Sequence, residues 1–364
     1  MLKRILIFFT ALFFILPSSA QEESPLLYAL PSACIRFQRQ KETWFVDCAV
    51  SRKCVVNLEI NASDRSRPAA AVRKRIDNSG IFRIAWNGKN GDRRLDPGAY
   101  QCRVYASGYE NQAFSFTLDI REGKPEEMPI APNAPLLPDS MADQDVWQCM
   151  MQPITVVDID AEAHQRIYAE PDPDSEVLGH VHGQSQGLQV LEPGQRYTLA
   201  RAWRHEDDTL VEGYIPTKKL KVVIPNTHYG LLVDKTAQTL TVYEYGTPIG
   251  KARISTGLPT QDKPFRETRT GAFMTTDRLI AFESNGFWCE YPIRFDGGNL
   301  FHQIGSLKTA GGKDFAIQHQ QLGQRASEGC VRVAAQGAEG FEIDAYWLWT
   351  HVEYGTKVIV MGEE

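Results

Sequence analysis

The sequence predicts a mainly β, multidomain protein. Short runs with alternating apolar side chains recur along most of the 364 residues. Turn signals such as Asn87-Gly88, Asn90-Gly91 and Asp96-Pro97-Gly98 separate them. Helical periodicity is confined to the end of the chain, over Ala338–His351, where Phe341, Ala345, Leu348 and Trp349 are apolar. The length suffices for two or three domains, each with its own core. At 43% hydrophobic and 23% charged residues the composition is that of a globular chain. The net charge of -6, with no basic tract to offset it, argues against a nucleic-acid partner.

The first 20 residues read as a secretory signal peptide. Lys3 and Arg4 supply a positive start, Ile5–Leu16 an apolar run too short to span a bilayer, and Pro17-Ser18-Ser19-Ala20 the small residues of a cleavage site. No second apolar run of membrane length follows, so a protein exported to the periplasm or cell wall, without a transmembrane segment after cleavage, is expected. Its seven cysteines then suggest disulfides. Cys34, Cys48, Cys54 and Cys102 are close enough in sequence for one or two bridges. Cys149 and Cys289 are candidates for another, which leaves Cys330 as the free thiol.

Residues 21–122 are expected to form a β-sandwich, from strands around Trp44–Val46, Cys54–Ile60, Phe82–Trp86, Ala99–Tyr105 and Phe114–Ile120. Trp86-Asn87-Gly88 through Pro97-Gly98-Ala99-Tyr100 resembles the hairpin of bacterial Ig-like accessory domains. Residues 123–145, with Pro125, Pro129, Pro132, Pro135 and Pro138, read as a stiff linker. Residues 146–223 read as a small β-barrel with strands near Leu188–Leu191, Tyr197–Ala202 and Gly213–Pro216. Its Pro and Ser-x-x-x-Gly opening and closing Gly-Tyr-Ile resemble a bacterial SH3-like domain. His180 and His182 face one way on a strand, but no third ligand lies near them in sequence, so a structural or surface role is expected and no metal site.

Residues 224–364 carry the chemistry-bearing motifs. A hairpin is expected around Asp234–Gln238, and a strand enters a loop at Ser255-Thr256-Gly257. Further on, Ser327-Glu328-Gly329-Cys330-Val331-Arg332 presents a thiol in a polar, Gly-containing turn. In this order, Val233–Tyr243, Ser255–Gly257, Thr268–Phe273, Ser327–Arg332, Asp344–Trp347 and Gly355–Val358 resemble the L,D-transpeptidase (YkuD-type) catalytic domain. The expected fold is a mostly β catalytic domain with a short helix after the Cys turn.

The resemblance implies an exported cysteine acyltransferase acting on peptidoglycan stem peptides, with no cofactor. Cys330 would be the nucleophile and His302 the base, at the end of the Gly298–His302 strand. His319 competes for that role but falls in an insertion before the Cys turn. The Gln303 carbonyl would orient the imidazole, and the Gly329 and Cys330 N–H groups would receive the oxyanion. Arg332, Ser327, Gln303 and His319 are the remaining substrate-side candidates. Two residues depart from the family pattern: Glu328 where His is usual, and Arg269 where Pro is usual. A carboxylate beside the thiol opposes its ionisation unless Arg325 or Arg332 pairs with it. The rival expectation is a non-catalytic wall-binding protein on a degenerate transpeptidase fold; with water as acceptor the enzyme would be an L,D-carboxypeptidase.

Overall fold

The computed structural model describes residues 23–32, 34–37, 44–62, 67–122, 128–133, 136–335 and 342–362. The signal peptide expected at residues 1–20 lies outside the described residues.

The N-terminal strands form two facing sheets. One pairs Leu26–Pro31 with Trp44–Val50 and that with Gly80–Trp86; the other runs in the order Cys34–Phe37, Phe114–Glu122, Gly98–Ala106, Cys54–Asn61, Ala70–Ile76. Period-2 alternation sends Val46, Cys48 and Ile84 from one sheet and Leu58, Val104 and Leu118 from the other into a common core. Each large apolar side chain buried there contributes roughly 1.5–3 kcal/mol. The strand Leu26–Pro31 serves two cores. Leu26 and Ala29 join the sandwich, whereas Tyr28 and Leu30 pack into the C-terminal domain. Tyr28 meets Trp349 edge-on with ring centroids 4.5 Å apart.

The expected disulfides are corrected here. Cys48, Cys54, Cys102, Cys149, Cys289 and Cys330 are all free thiols, and the Cys34 side chain lies outside the described residues. Cys48 and Cys102 behave as small core hydrophobes, and burial raises the Cys102 thiol to about 12. Cys149 donates from a helix to Leu136 O at 3.2 Å, while Cys289 lies on a distant hairpin beside Cys330.

The linker also differs from expectation. Helix α1 (Asp143–Met151) begins inside it and takes up the first residues assigned to the barrel. Asp143 and Asp145 in its first turn suit the positive end of the helix dipole. Val146 and Met150 bury against Leu232, Tyr243 and Ile359 of the C-terminal sheet. The buried Lys357 donates to the carbonyls of Cys149 (2.7 Å) and Gln152 (2.8 Å), capping the helix end. A five-stranded sheet then follows, in the order Val177–His182, His164–Tyr168, Leu210–Pro216, Tyr197–Trp203, Gln189–Glu192. Ile167, Val181, Ala200 and Ile215 fill its core.

The C-terminal domain is built on eight strands: β1 (Tyr229–Asp234), β2 (Thr239–Glu244), β3 (Thr247–Ser255), β4 (Gly271–Met274), β5 (Ile293–Asp296), β6 (Asn299–Gln303), β7 (Val331–Val333) and β8 (Lys357–Met361). They form one sheet in the order β4-β8-β1-β2-β3-β7-β6-β5. The β1–β8 and β6–β7 pairs are parallel and bring distant segments together; the β1–β2 hairpin closes from Asp234 to Thr239. Helix α3 (Ala345–His351) packs on the sheet, with the Asp344 side chain accepting from Trp347 N at 2.7 Å as its N-cap. The Arg269 that breaks the family pattern is 5% exposed and joins the barrel to this sheet. Its Nε donates to Asp208 Oδ1 (2.8 Å) and its Nη1 to Asp296 Oδ1 (3.4 Å). Burial raises both carboxyls, Asp208 to about 6, and the guanidinium opposes that rise.

Arg269→Met should therefore strand two buried carboxylates and cost about 3–5 kcal/mol of stability. Denaturant unfolding of the two proteins side by side tests this; a loss below about 1 kcal/mol would mean the network is dispensable.

Candidate active site

Cys330 immediately precedes β7, in a turn that several backbone contacts fix. Ala326 N and Ser327 N both donate to Thr256 O, at 2.9 and 3.0 Å, and Leu258 N donates to Ser327 O at 3.0 Å. The fully buried Thr268 hydroxyl accepts from Gly257 N (2.8 Å) and donates to Gly329 O (2.7 Å). Ser327 Oγ donates to Cys330 O at 2.5 Å and accepts from Gly329 N at 3.3 Å. Gly329 has φ +114°, and a Cβ there would lie 2.4 Å from Asn299 Oδ1, so both backbone and neighbour demand glycine. Its N–H must exchange the long bond to Ser327 before it can receive an oxyanion.

The parallel pairing of β6 with β7 puts His302 opposite Arg332, while Val331 and Val333 turn into the core. Cys330, His302, Arg332 and Ser327 line one cleft of about 190 Å³. Gln303 and His319 do not line it; His319 is exposed at the end of the short helix α2 (Ala316–His319) in the insertion. His302 Nδ1 lies 2.7 Å from Gln303 O. A carbonyl only accepts, so Nδ1 carries the proton and a neutral ring keeps its lone pair on Nε2. Phe282 meets the ring edge-on at 5.2 Å between centroids.

The electrostatics favour uncharged partners. Burial lowers His302 to about 4, against a bond to Gln303 O that raises it, and Arg332 lowers it further. Cys330 is half-buried at the cleft wall, and desolvation raises its thiol; the Leu300 backbone N–H and Arg332 pull it down, and Glu328 pushes it up. A neutral imidazole does not lower the thiol in the way an imidazolium would. Arg332 donates from Nη1 to Gln321 Oε1 at 2.7 Å. Glu328 pairs with neither expected arginine. Its partners are Arg266 and Asn285 Nδ2 (3.1 Å), while Arg325 is engaged by Glu267 at 2.5 Å.

Sequence reading missed the hairpin that forms one wall of the cleft. Ala281–Ser284 and Phe287–Glu290 pair across Asn285-Gly286, whose φ values of 51° and 80° suit a tight two-residue turn. That dipeptide was the available signal. The hairpin brings Phe282, Phe287 and Cys289 into the cleft. Its outer end is anchored to the insertion by paired bonds between Trp288 and Ser306 (2.8 and 3.0 Å) and by Glu290 with Lys313 at 2.7 Å.

Because Glu328 raises the Cys330 thiol, Glu328→Gln should move the pH profile of Cys330 alkylation to lower pH. Peptide mass spectrometry after timed labelling reads this; an unchanged or upward-shifted profile would show that the carboxylate is electrostatically silent.

Residues 228–360 match the family model described as YkuD, the L,D-transpeptidase catalytic domain. No curated protein matches the chain. Among solved structures, an L,D-transpeptidase from Mycobacterium smegmatis is 15% identical, covering 58% of this chain and 92% of that one, with a TM-score of 0.29. L,D-transpeptidase 3 from Mycobacterium tuberculosis, in complex with a faropenem-derived adduct, is 13% identical over 63% and 88% of the chains, with a TM-score of 0.28. The catalytic domain of the E. faecium L,D-transpeptidase is 19% identical over 37% and 98%, with a TM-score of 0.24. The likeness that bears on function is thus the match over residues 228–360, and the cleft around Cys330 lies within it.

Proposed function

We propose that this protein is an exported L,D-transpeptidase that acts on peptidoglycan stem peptides through an acyl-enzyme on Cys330. The observation that carries the reading is the meeting of Cys330, His302 and Arg332 in one cleft inside the segment that matches the family model. Export is supported by the character of residues 1–20 in the sequence, and the sandwich and barrel are read as Ig-like and SH3-like accessory domains that hold the enzyme to the wall.

His302 Nε2 takes the thiol proton as Cys330 Sγ attacks the carbonyl between the L-centre of a diamino acid and the terminal D-Ala. The carbonyl oxygen becomes an oxyanion facing the N–H groups of Cys330 and Gly329. On collapse the C–N bond breaks, His302 returns its proton to the D-Ala amine, and a thioester remains. An acceptor amine then loses a proton to His302, attacks the thioester and releases the thiol. A neighbouring stem peptide as acceptor gives a 3-3 cross-link; water gives the L,D-carboxypeptidase outcome. The Arg332 guanidinium, with one arm on Gln321, is suited to hold a substrate carboxylate.

Incubation with purified disaccharide-tetrapeptide should yield a cross-linked dimer or D-Ala release, and a carbapenem should leave one adduct per chain, on Cys330. His302→Ala should abolish the adduct and His319→Ala should keep most of it. If neither substrate nor carbapenem reacts at Cys330 in the folded protein, the chain is a wall-binding protein on a transpeptidase fold. Acylation should also fall on the acid side as pH drops through about 4, because below that value His302 holds the proton it must accept. An acid limb centred near neutrality would point to a different base.

A further inference from the structure

The barrel holds a cluster that the transpeptidase reading leaves unused. His182 has two imidazole neighbours that no local spacing announces. The antiparallel pairing of His164–Tyr168 with Val177–His182 sets His164 directly opposite His182. The turn after Trp203 adds His205, anchored by its backbone N–H on His180 O at 2.8 Å. One ring nitrogen from each of the three lies within 4.8 Å of the other two. The His164 and His205 rings stack at 4.1 Å between centroids, and His182 meets each at 4.6 Å.

We propose that His164, His182 and His205 form a binding site for a divalent transition-metal ion of the zinc class. His182 Nε2 and His205 Nδ1 are 2.9 Å apart and share one hydrogen bond. Two nitrogens on a tetrahedral zinc at about 2.0–2.1 Å lie only slightly farther from each other, so an ion can replace that shared proton with little movement. The other nitrogen of His182, Nδ1, is buried with no partner. The ring is 4% exposed and lies against Gly297, where a Cβ would come within 2.4 Å of it. This glycine in the β5–β6 turn makes the space the imidazole occupies.

Charge around the cluster is balanced. Arg269 is paired with Asp208 and Asp296, and Arg294 with Asp277 and Glu162, while Glu206 accepts from His180 at 2.5 Å. Three imidazoles without a thiolate suit zinc, copper or nickel rather than calcium or magnesium. With His164 and His205 exposed, the fourth position faces solvent. An ion there would join two strands and a turn of the barrel on the side that meets the β5–β6 turn.

The test uses the untagged chain carrying Cys330→Ser, so that the cleft thiol cannot bind the probe. Titration with zinc(II) by calorimetry should give one equivalent, and cobalt(II) should give the intense visible bands of a low-coordinate complex. His164→Ala and His205→Ala alter exposed rings and should preserve the fold; each should weaken zinc binding at least about 10-fold and remove the zinc-dependent rise in melting temperature. His319→Ala should leave both unchanged. Absence of stoichiometric binding, or binding that survives in both cluster variants, would overturn the site.

Discussion

The hydroxyl of Thr268 is the contact on which the geometry around Cys330 depends. It accepts from Gly257 and donates to Gly329, so one buried oxygen fixes the loop after β3 to the turn that carries the thiol. Its neighbours extend the constraint in two directions. Glu267 accepts from Lys235 at 2.9 Å and from Arg325, holding the β1–β2 hairpin and the approach to the Cys turn. Arg269 reaches the barrel through Asp208 and the end of β5 through Asp296. Three consecutive buried residues thus tie together segments far apart in the chain. Each leaves polar groups unpaired if removed, which is costlier than never having had the bond.

This constraint shapes the chemistry open to the cleft. A preformed thiolate–imidazolium pair needs an environment that rewards both charges. Here burial opposes both, raising the Cys330 thiol and lowering His302. The resting pair is therefore neutral, and in the proposed reaction the proton moves only as the thiol attacks. Glu328 would be hard to reconcile with a standing thiolate, but it faces Arg266 and Asn285 on the outer side of the turn. There it closes the cleft rim by joining the turn to the wall hairpin, and its effect on the thiol is among the smaller influences.

Local rules made the hairpins and the alternating strands legible in the sequence, because a period of two and a turn residue are short-range signals; the C-terminal helix was legible too, but it begins at Ala345 after the Asp344 cap rather than at the expected Ala338, and residues 338–341 lie outside the described residues. The order of the motifs from Val233 to Val358 pointed to the domain. What escaped was everything decided by pairing across the chain. Cys48 and Cys102 were two of four cysteines expected to supply one or two bridges, yet they serve as core side chains. Arg269 looked like an incidental departure from a loop pattern, yet it is a buried ion-pair centre whose acids come from Asp208 and Asp296. Helix α1 lay hidden behind a proline-rich stretch, and its apolar face is explained only by the C-terminal sheet it covers. The His164–His182–His205 cluster follows from strand register, which no spacing in the sequence encodes.

The five-stranded unit also solves a problem that the eight-stranded sheet creates. An open sheet ends in strands with unpaired backbone groups, and such edges recruit other chains. At the β4 edge the barrel supplies the partner: Gly187 N donates to Ala272 O at 2.9 Å and Met274 N to Ser185 O at 2.9 Å. Trp203 Nε1 adds a bond to Thr270 O at 2.8 Å just before the strand begins. At the β5 edge, Arg278 bridges to Ile293, and the Ser185 hydroxyl accepts from Gly297 N at 3.1 Å in the turn beyond. Ser185 therefore touches both ends of the sheet, through its carbonyl at β4 and its hydroxyl beyond β5. The eight-stranded sheet is thus finished in part by Ser185, Gly187 and Trp203, which lie outside the segment that matches the family model, so the barrel is part of the structure that holds β5, β6 and His302 in place.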